Sequence, residues 1–586
     1  MLPYRRILFI TLLFMALACS SSCSLHNYAP RPEPKIDEYE LQNEDWKSLS
    51  LREKIGQTMM INMDHLGHQQ RFGSIQAMLQ QYPVAGIFIP QWLYASHKPE
   101  SDIIPNIRRA ILLYENSSHH PIFISEDFER GLGEAYPGFT SLPPEMSLGA
   151  SHSSALSKAF GQVVTSEAKT MGVNWLLHPV ADLNLNPLNN LILDRAVSDD
   201  AQKAYPLLKS QIAGMRDNGV IATIKHFPGD GATMKNQHLV KSNNTLSMRD
   251  WNQSFGSLYQ QLINDDVPSI MVGHIRFPAY QRQTLNNGML PPATLSRELI
   301  TQLLKNEMQF KGVVLTDALN MGGIGGYYSS SVETAVQTFI AGADMVLWPD
   351  LEYLDEVEKR ILSGEIPMSR LNDAVQRVWL LREKFGLLQK KSALFSELSE
   401  DQKAANRNTA KVIADHAITL IEDRHGALPL SPQTSPKIAL ISLNFDNGNE
   451  QFLHTVDLLK AKGFNVAPII HNPHFYSWQN RLEELKQYDK IIVAFGNRNS
   501  NPMGNSMLKG EESMGVWTAN FLPFEKVIAI SYGNPYYPNY YLETAAIKIN
   551  AYGYDEFTQA AVVDALTGAL PFKGVSPVKL EHPSMQ

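Results

Sequence analysis

The sequence predicts an α/β chain, a (β/α)8 TIM-type barrel over residues 46–390 followed by a smaller α/β sandwich domain over 391–586. Three observations carry that expectation. Short runs rich in Val, Ile, Leu and Phe alternate with stretches of helical length, the pattern of βαβ units around a parallel sheet. Polar residues recur at the carboxyl ends of those runs, where a barrel gathers its functional side chains. A second set of runs begins only after a Lys- and Ser-containing linker near residue 390.

In order, the runs are "VAGIFI" (84–89), "PIFIS" (121–125), "VNWLLHPVA" (173–181), "GVIATIKHF" (219–227), "VPSIMVGHI" (267–275), "GVVLTD" (312–317) and "GADMVLW" (342–348). Continuous apolar runs of this length are how strands covered on both faces read. Seven of them, each followed by a helix-length stretch, suit a barrel better than the alternative doubly wound sheet. Glu126 and Asp127 follow the second run and Asp182 the third; Lys225 and His226 lie near the end of the fourth and His274 near the end of the fifth. Asp317 ends the sixth and Asp350 follows the last. One aspartate at such a place reads as a helix cap. A series that includes lysine and histidine reads as a pocket. In the second domain, "KIALISL" (437–443), "KIIVAFG" (490–496) and "KVIAISYG" (526–533) are the strand candidates.

The first residues, "MLPYRRILFITLLFMALACSSSCS", set Arg5 and Arg6 before an apolar stretch from Ile7 to Ala18. That is an export signal over 1–18, too short for a permanent membrane helix. "ALAC", ending at Cys19, is similar to a lipoprotein signal whose cysteine becomes lipidated, although Ala16 stands where such boxes usually carry leucine. Residues 19–45, with their serines, prolines and charges, form a tether. The expected location is therefore the cell envelope: an exported chain held at a membrane through Cys19, facing the periplasm or the exterior. Cys19 and Cys23 are the only cysteines, so the globular domains carry neither disulfide nor thiolate metal site. A net charge of -8 without a basic stripe argues against a nucleic-acid partner. No phosphate-cradling glycine fingerprint occurs, and no cofactor is predicted.

The most informative loop is "KHFPGDGATMKNQH" (225–238). Lys225 and His226 can point into a pocket as donors, while Gly229 and Gly231 let the backbone turn into a flap. His238 on that flap can carry a proton at neutral pH, and Asp317 offers a carboxylate from the barrel floor. A carboxylate nucleophile with a separate proton carrier is what retaining glycoside hydrolysis requires. His226, Asp230 and His238 match no standard ligand spacing, so no metal is expected. His119 and His120 read as a solvated turn. Tyr536, Tyr537, Tyr540 and Tyr541 read either as a glycan-stacking border or as packing between domains.

"KHFPG" with His238, "GFTSLPP" (138–144), "PVADLNLNPLNNLILDRAVSDD" (179–200) and "VLTDALNM" (314–321) together resemble glycoside hydrolase family 3, in its bacterial β-N-acetylglucosaminidase branch. The segments keep the family's order, and the resemblance covers nearly the whole chain after the tether. It implies that Asp317 is the nucleophile and His238 the acid/base. It implies also that Asp127, Arg195, Lys225 and His226 grip sugar hydroxyls. "GNPYYPNYY" and "YGYDEFTQAAVVDALTGALP" resemble the family's second domain. The implied activity is removal of terminal β-linked N-acetylglucosamine, from peptidoglycan-derived or related glycans, by double displacement. Two positions depart from the pattern. Asn236 replaces the aspartate that pairs with the histidine, and Ala135 lies near where many relatives place a sugar-binding arginine. Asp230 or Asp182 is then the candidate for the missing charge. Two other readings follow from these departures: a phosphorylase, because a neutral histidine does not repel phosphate, and a sugar-binding envelope lipoprotein whose catalytic pair has decayed.

Overall fold

The computed structural model describes residues 41–94, 102–389, 394–443, 452–470, 478–496, 508 and 510–581. The signal segment, Cys19 and most of the tether lie outside the described residues.

Eight strands form the first sheet: β1 (Met59–Asn62), β2 (Gly86–Phe88), β3 (Phe123–Glu126), β4 (Trp175–Leu176), β5 (Ile221–Phe227), β6 (Ser269–Val272), β7 (Val313–Thr316) and β8 (Val346–Leu347). All pairs are parallel and run from β8 through β1 to β7 in sequence order. A parallel bridge between Leu315 and Met345 joins β7 to β8 and closes the ring. The expected runs became β2 to β8. The strand the sequence did not announce is β1, whose "MMIN" lacks the β-branched density that marks the others.

Helices follow the strands around the outside. Ala201–Asp217 follows β4 and begins where the Asp200 carboxylate accepts the N–H groups of Gln202 and Lys203, closing the loop that starts at Pro179. Ser331–Ala341 follows β7, capped by Ser330. Met60, Phe88, Phe123, Trp175, Ile221, Met271, Leu315 and Leu347 belong to the cluster that fills the barrel. Trp175 satisfies its one polar atom by donating Nε1–H to Thr223 Oγ1 at 2.6 Å, so it can lie fully buried there. The interior is thus packed, and chemistry is left to the strand ends.

The second domain is a six-stranded sheet of β9 (Thr419–Asp423), β10 (Lys437–Leu443), β11 (Asn465–Ile469), β12 (Lys490–Phe495), β13 (Val527–Ser531) and β14 (Ile547–Asn550). Their order is β9-β14-β13-β12-β10-β11, with β9 antiparallel to β14 and the rest parallel. Separate apolar clusters pack on its two faces, which makes it a sandwich. The sequence candidates correspond to β10, β12 and β13.

The two domains meet on the loop that leads out of β4. Ser198 Oγ donates to Pro577 O at 2.7 Å, Lys579 N–H donates to Asp199 at 2.8 Å and Asn184 Nδ2 donates to the Tyr536 hydroxyl at 3.3 Å. Tyr536 is buried there with Met146, Leu193 and Val578, and Tyr537 is buried in the core of the second sheet. Packing accounts for Tyr536 and Tyr537, whereas Tyr540 is exposed. The second domain therefore braces the loop that presents Arg195 to the barrel mouth.

Candidate functional site

The carboxyl ends of β3 to β7 converge on one polar cluster. Asp317 follows β7 directly. Its N–H donates to Val272 O at 2.9 Å, and its Oδ1 accepts the Ala318 N–H at 2.8 Å. Its Oδ2 is buried without a hydrogen-bond partner and faces His226 Nε2 across 4.0 Å. Burial pushes this carboxyl up, but the fields of His226, His274 and His238 with the Ala318 N–H outweigh it and hold the group below the usual carboxylate range. The result is an ionised carboxylate with one oxygen free to act.

His226 is oriented from the other side. Asp182, fully buried after β4, accepts the His226 backbone N–H at 3.2 Å and its Nδ1–H at 2.6 Å. That fixes the ring and turns Nε2 toward Asp317. Asp182 also accepts the Asp230 N–H at 2.7 Å. Burial, then the proximity of Asp182, pushes the Asp230 carboxyl up to about 6. His274 sits beneath: its Nε2 donates to Ala318 O at 2.8 Å while its Nδ1 lies 3.0 Å from Thr294 Oγ1. His274 is thus a brace for the segment carrying Asp317.

Lys225 Nζ lies 2.6 Å from Asp127 and 2.7 Å from Glu129. Glu129 also receives Arg195 through two bonds, Nε at 2.8 Å and Nη2 at 2.7 Å. Burial depresses the Lys225 ammonium, but Asp127 and Glu129 outweigh it and keep it charged. Burial likewise raises Glu129, yet Arg195 and Lys225 drive its carboxyl well below the usual range. The two cations and two carboxylates form one network on a cavity of about 180 Å³, whose lining includes Gln91, Asp127, Glu129, Ala135, Arg195 and His238. Such a network offers both donors and acceptors to vicinal hydroxyls.

Glu129 was not anticipated from the sequence. It lies beyond the strand end, past Phe128, which adopts φ +40°, and only that turn carries its carboxylate back to Lys225. Glu129→Gln is expected to leave two buried cations facing a single carboxylate. We expect a stability loss of about 3 kcal/mol or more and a kcat/KM at least about tenfold lower, read by thermal unfolding and steady-state kinetics.

His238 lies on the loop after β5. Its Nδ1 approaches Asn236 Oδ1 at 3.1 Å, and its backbone N–H donates to the same oxygen at 2.9 Å. An amide oxygen only accepts, so Nδ1 carries the hydrogen and Nε2 is left with its lone pair. Burial pushes the imidazole down to about 4, with Asp317 opposing and Arg195 adding to the shift. The expected flap is a docked loop. Gly229 and Gly231 do take positive φ, +117° and +93°. Beyond them Gln237 and His238 present their carbonyls to the N–H groups of Gly323 and Gly322 at 2.9 and 2.7 Å, and Gln237 Oε1 accepts the His274 N–H at 2.6 Å. Proton carrier and carboxylate are thereby held on adjoining loops.

Some strand-end residues fall outside the cluster. Asp350 is exposed and bonds Ser331, the helix-cap type of role. Glu126 is fully buried, accepts the Phe128 N–H at 2.8 Å, and burial with Asp127 raises its carboxyl well above the usual range. His120 stacks edge-on to Trp379 at 5.4 Å ahead of β3, at the amino end of the strands. Among the described residues no group of three His, Cys, Asp or Glu is arranged to hold a metal ion.

A family model described as glycosyl hydrolase family 3 N terminal domain matches residues 50–381. A β-N-acetylglucosaminidase/β-glucosidase of Cellulomonas fimi is 28% identical over 484 residues, 78% of this chain and 83% of that protein. Among solved structures, a β-glucoside phosphorylase superposes with TM-score 0.80 at 26% identity, over 95% of this chain and 99% of that one. A family 3 β-N-acetylglucosaminidase from Paenibacillus sp. str. FPU-7 superposes with TM-score 0.76 at 24% identity over 91% of this chain and 99% of that one, a likeness of fold.

Proposed function

The chain belongs to glycosyl hydrolase family 3, and from that premise we propose that it removes terminal β-linked N-acetylglucosamine from glycans by retaining double displacement. The observation that carries the reading is the Asp317 carboxylate, ionised, with Oδ2 buried and unpartnered beside the His238 loop. In the first step Oδ2 forms a bond to the anomeric carbon as the bond from that carbon to the aglycone oxygen breaks. His238 enters this step as the imidazolium, with Nδ1–H on Asn236 Oδ1, and its Nε2 proton goes to the departing oxygen. In the second step His238 Nε2 takes a proton from water as the water oxygen displaces Asp317. Asp127, Glu129, Lys225 and Arg195 hold the sugar hydroxyls, and His226 orients the nucleophile. The name of the Cellulomonas fimi relative supports the choice of sugar.

The export signal and Cys19 support an envelope location with a lipid anchor, and hence glycans derived from peptidoglycan as substrates. Among the described residues no helix is long and apolar enough to cross a membrane.

A second reading has its own support. The phosphorylase fold match and a histidine that burial keeps neutral both suit phosphate in place of water, since an uncharged ring does not repel the incoming anion. The test is release of N-acetylglucosamine from an aryl β-N-acetylglucosaminide by the whole chain, with and without phosphate, beside the aryl β-glucoside. We expect release with the β-anomer formed first. A sugar 1-phosphate and acceleration by phosphate would transfer the assignment to phosphorolysis. Absence of release from either glycoside overturns both.

A further inference from the structure

The barrel mouth is divided into two chemically different sectors. From β3 to β7 the strand ends carry the charged groups described above. Across the mouth, around β8 and β2, they carry aromatic rings. Trp348 follows β8, Phe88 ends β2, and Trp92 lies in the short helix Gln91–Tyr94 just beyond. Phe88 and Trp348 meet at 5.1 Å between centroids with planes 70° apart, and Trp92 and Trp348 at 5.5 Å and 67°. Phe88 is the buried floor of this cluster, whereas Trp92 is 51% exposed.

Packing alone does not account for the arrangement. Trp348 adopts φ +60°, a left-handed conformation that costs a bulky residue energy and persists where surroundings impose it, often at functional sites. Its Nε1 is buried and makes no hydrogen bond. Trp348 packs on the cluster containing Ala318, the residue after Asp317. Gln91, the chain neighbour of Trp92, lines the cavity with Asp127, Arg195 and His238. The aromatic sector is thus continuous with the site on two sides.

We propose that Trp92 and Trp348 form an acceptor-side subsite, a stacking platform for the pyranose ring that departs with the aglycone oxygen. The inference rests on the function proposed above. With the anomeric carbon at Asp317 on β7 and the glycosyl hydroxyls held at β3 to β5, the aglycone leaves the charged sector toward β8, the strand opposite β4 in the ring. A pyranose presents a flat C–H face that buries well on an indole.

The test is calorimetric titration of the Asp317→Asn chain with N-acetylglucosamine and with N,N′-diacetylchitobiose, repeated with Trp92→Ala added; Trp92 is the exposed ring, so its loss spares the core. We expect the disaccharide to bind more tightly than the monosaccharide. Trp92→Ala should reduce the ratio of the two affinities by about tenfold. An unchanged ratio overturns the platform and leaves the proposed activity standing. Failure of the Asp317→Asn chain to bind either sugar overturns the N-acetylglucosamine assignment and the platform with it.

Discussion

Asp317→Asn is expected to lower kcat on an aryl β-N-acetylglucosaminide by on the order of 10⁴-fold or more while leaving the melting temperature at or above that of the wild type. The two halves of the expectation come from different atoms. Oδ1 accepts the Ala318 N–H, a bond an amide oxygen reproduces. Oδ2 is buried and makes no hydrogen bond, so replacing it breaks none and removes a desolvated charge. An Nδ2 group in its place can donate to His226 Nε2, whose ring is held by Asp182. A loss of 10⁴ in rate is about 5.5 kcal/mol of transition-state stabilisation. No change in sugar binding of plausible size explains that with folding intact. Addition of azide to Asp317→Gly should restore turnover and yield the α-glycosyl azide, since the azide attacks the face the carboxylate used. Residual activity above about one per cent in Asp317→Asn, with no azide product from Asp317→Gly, would remove Asp317 from the nucleophile role.

Why these residues could be read in advance, and others could not, follows from how the fold builds the mouth. A parallel barrel turns "strand end" into "same place", so Asp127, Asp182, Lys225, His226 and Asp317 were brought together by a rule that needs no coordinates. The same rule selected Asp350, which the exposed turn after β8 sends to Ser331. Position along a strand does not specify on which side the following turn emerges. Glu129 is the converse case: its place depends on the positive φ of Phe128, and no periodicity encodes such a turn. Trp92 and Trp348 lie at strand ends too, but an aromatic residue there reads as core until its exposure is known. In the second domain β9, β11 and β14 escaped notice because "TLIED", "NVAPI" and "IKIN" mix polar residues or proline into short runs. Their pairing is decided by the neighbouring strands and by the helices on either face. The docking of the His238 loop was equally hidden, since it rests on backbone bonds to Gly322 and Gly323, residues remote in sequence.

That loop is where the second large effect is expected. Asn236→Asp should move the pH profile of kcat/KM toward higher pH by about 1–3 units. In the present chain burial pushes His238 down to about 4, so at pH 7 only about one molecule in a thousand carries the proton on Nε2. Few molecules then carry the proton an alkoxide leaving group needs, while nearly all hold the neutral ring that can take a proton from water. Asn236 Oδ1 lies 3.1 Å from His238 Nδ1, where a carboxylate oxygen would sit beside the positive ring and favour it. The sign follows: the protonated form is stabilised, its pKa rises, and the alkaline limb that reports the proton donor moves up. A methyl β-N-acetylglucosaminide, whose leaving oxygen needs that proton, should gain about tenfold or more at pH 7. A 4-nitrophenyl glycoside, whose leaving group departs as a stable anion, should change little. Profiles that do not move for either substrate would show that His238 is not the proton carrier. Phosphorolysis makes the opposite demand on the same position, because a carboxylate at residue 236 adds negative charge on the proton-carrier side of the site, where phosphate would have to enter. If phosphate is the natural acceptor, Asn236→Asp should therefore raise hydrolysis while lowering transfer to phosphate, and the asparagine would be an adaptation to an anionic acceptor, distinct from the decay of a catalytic pair.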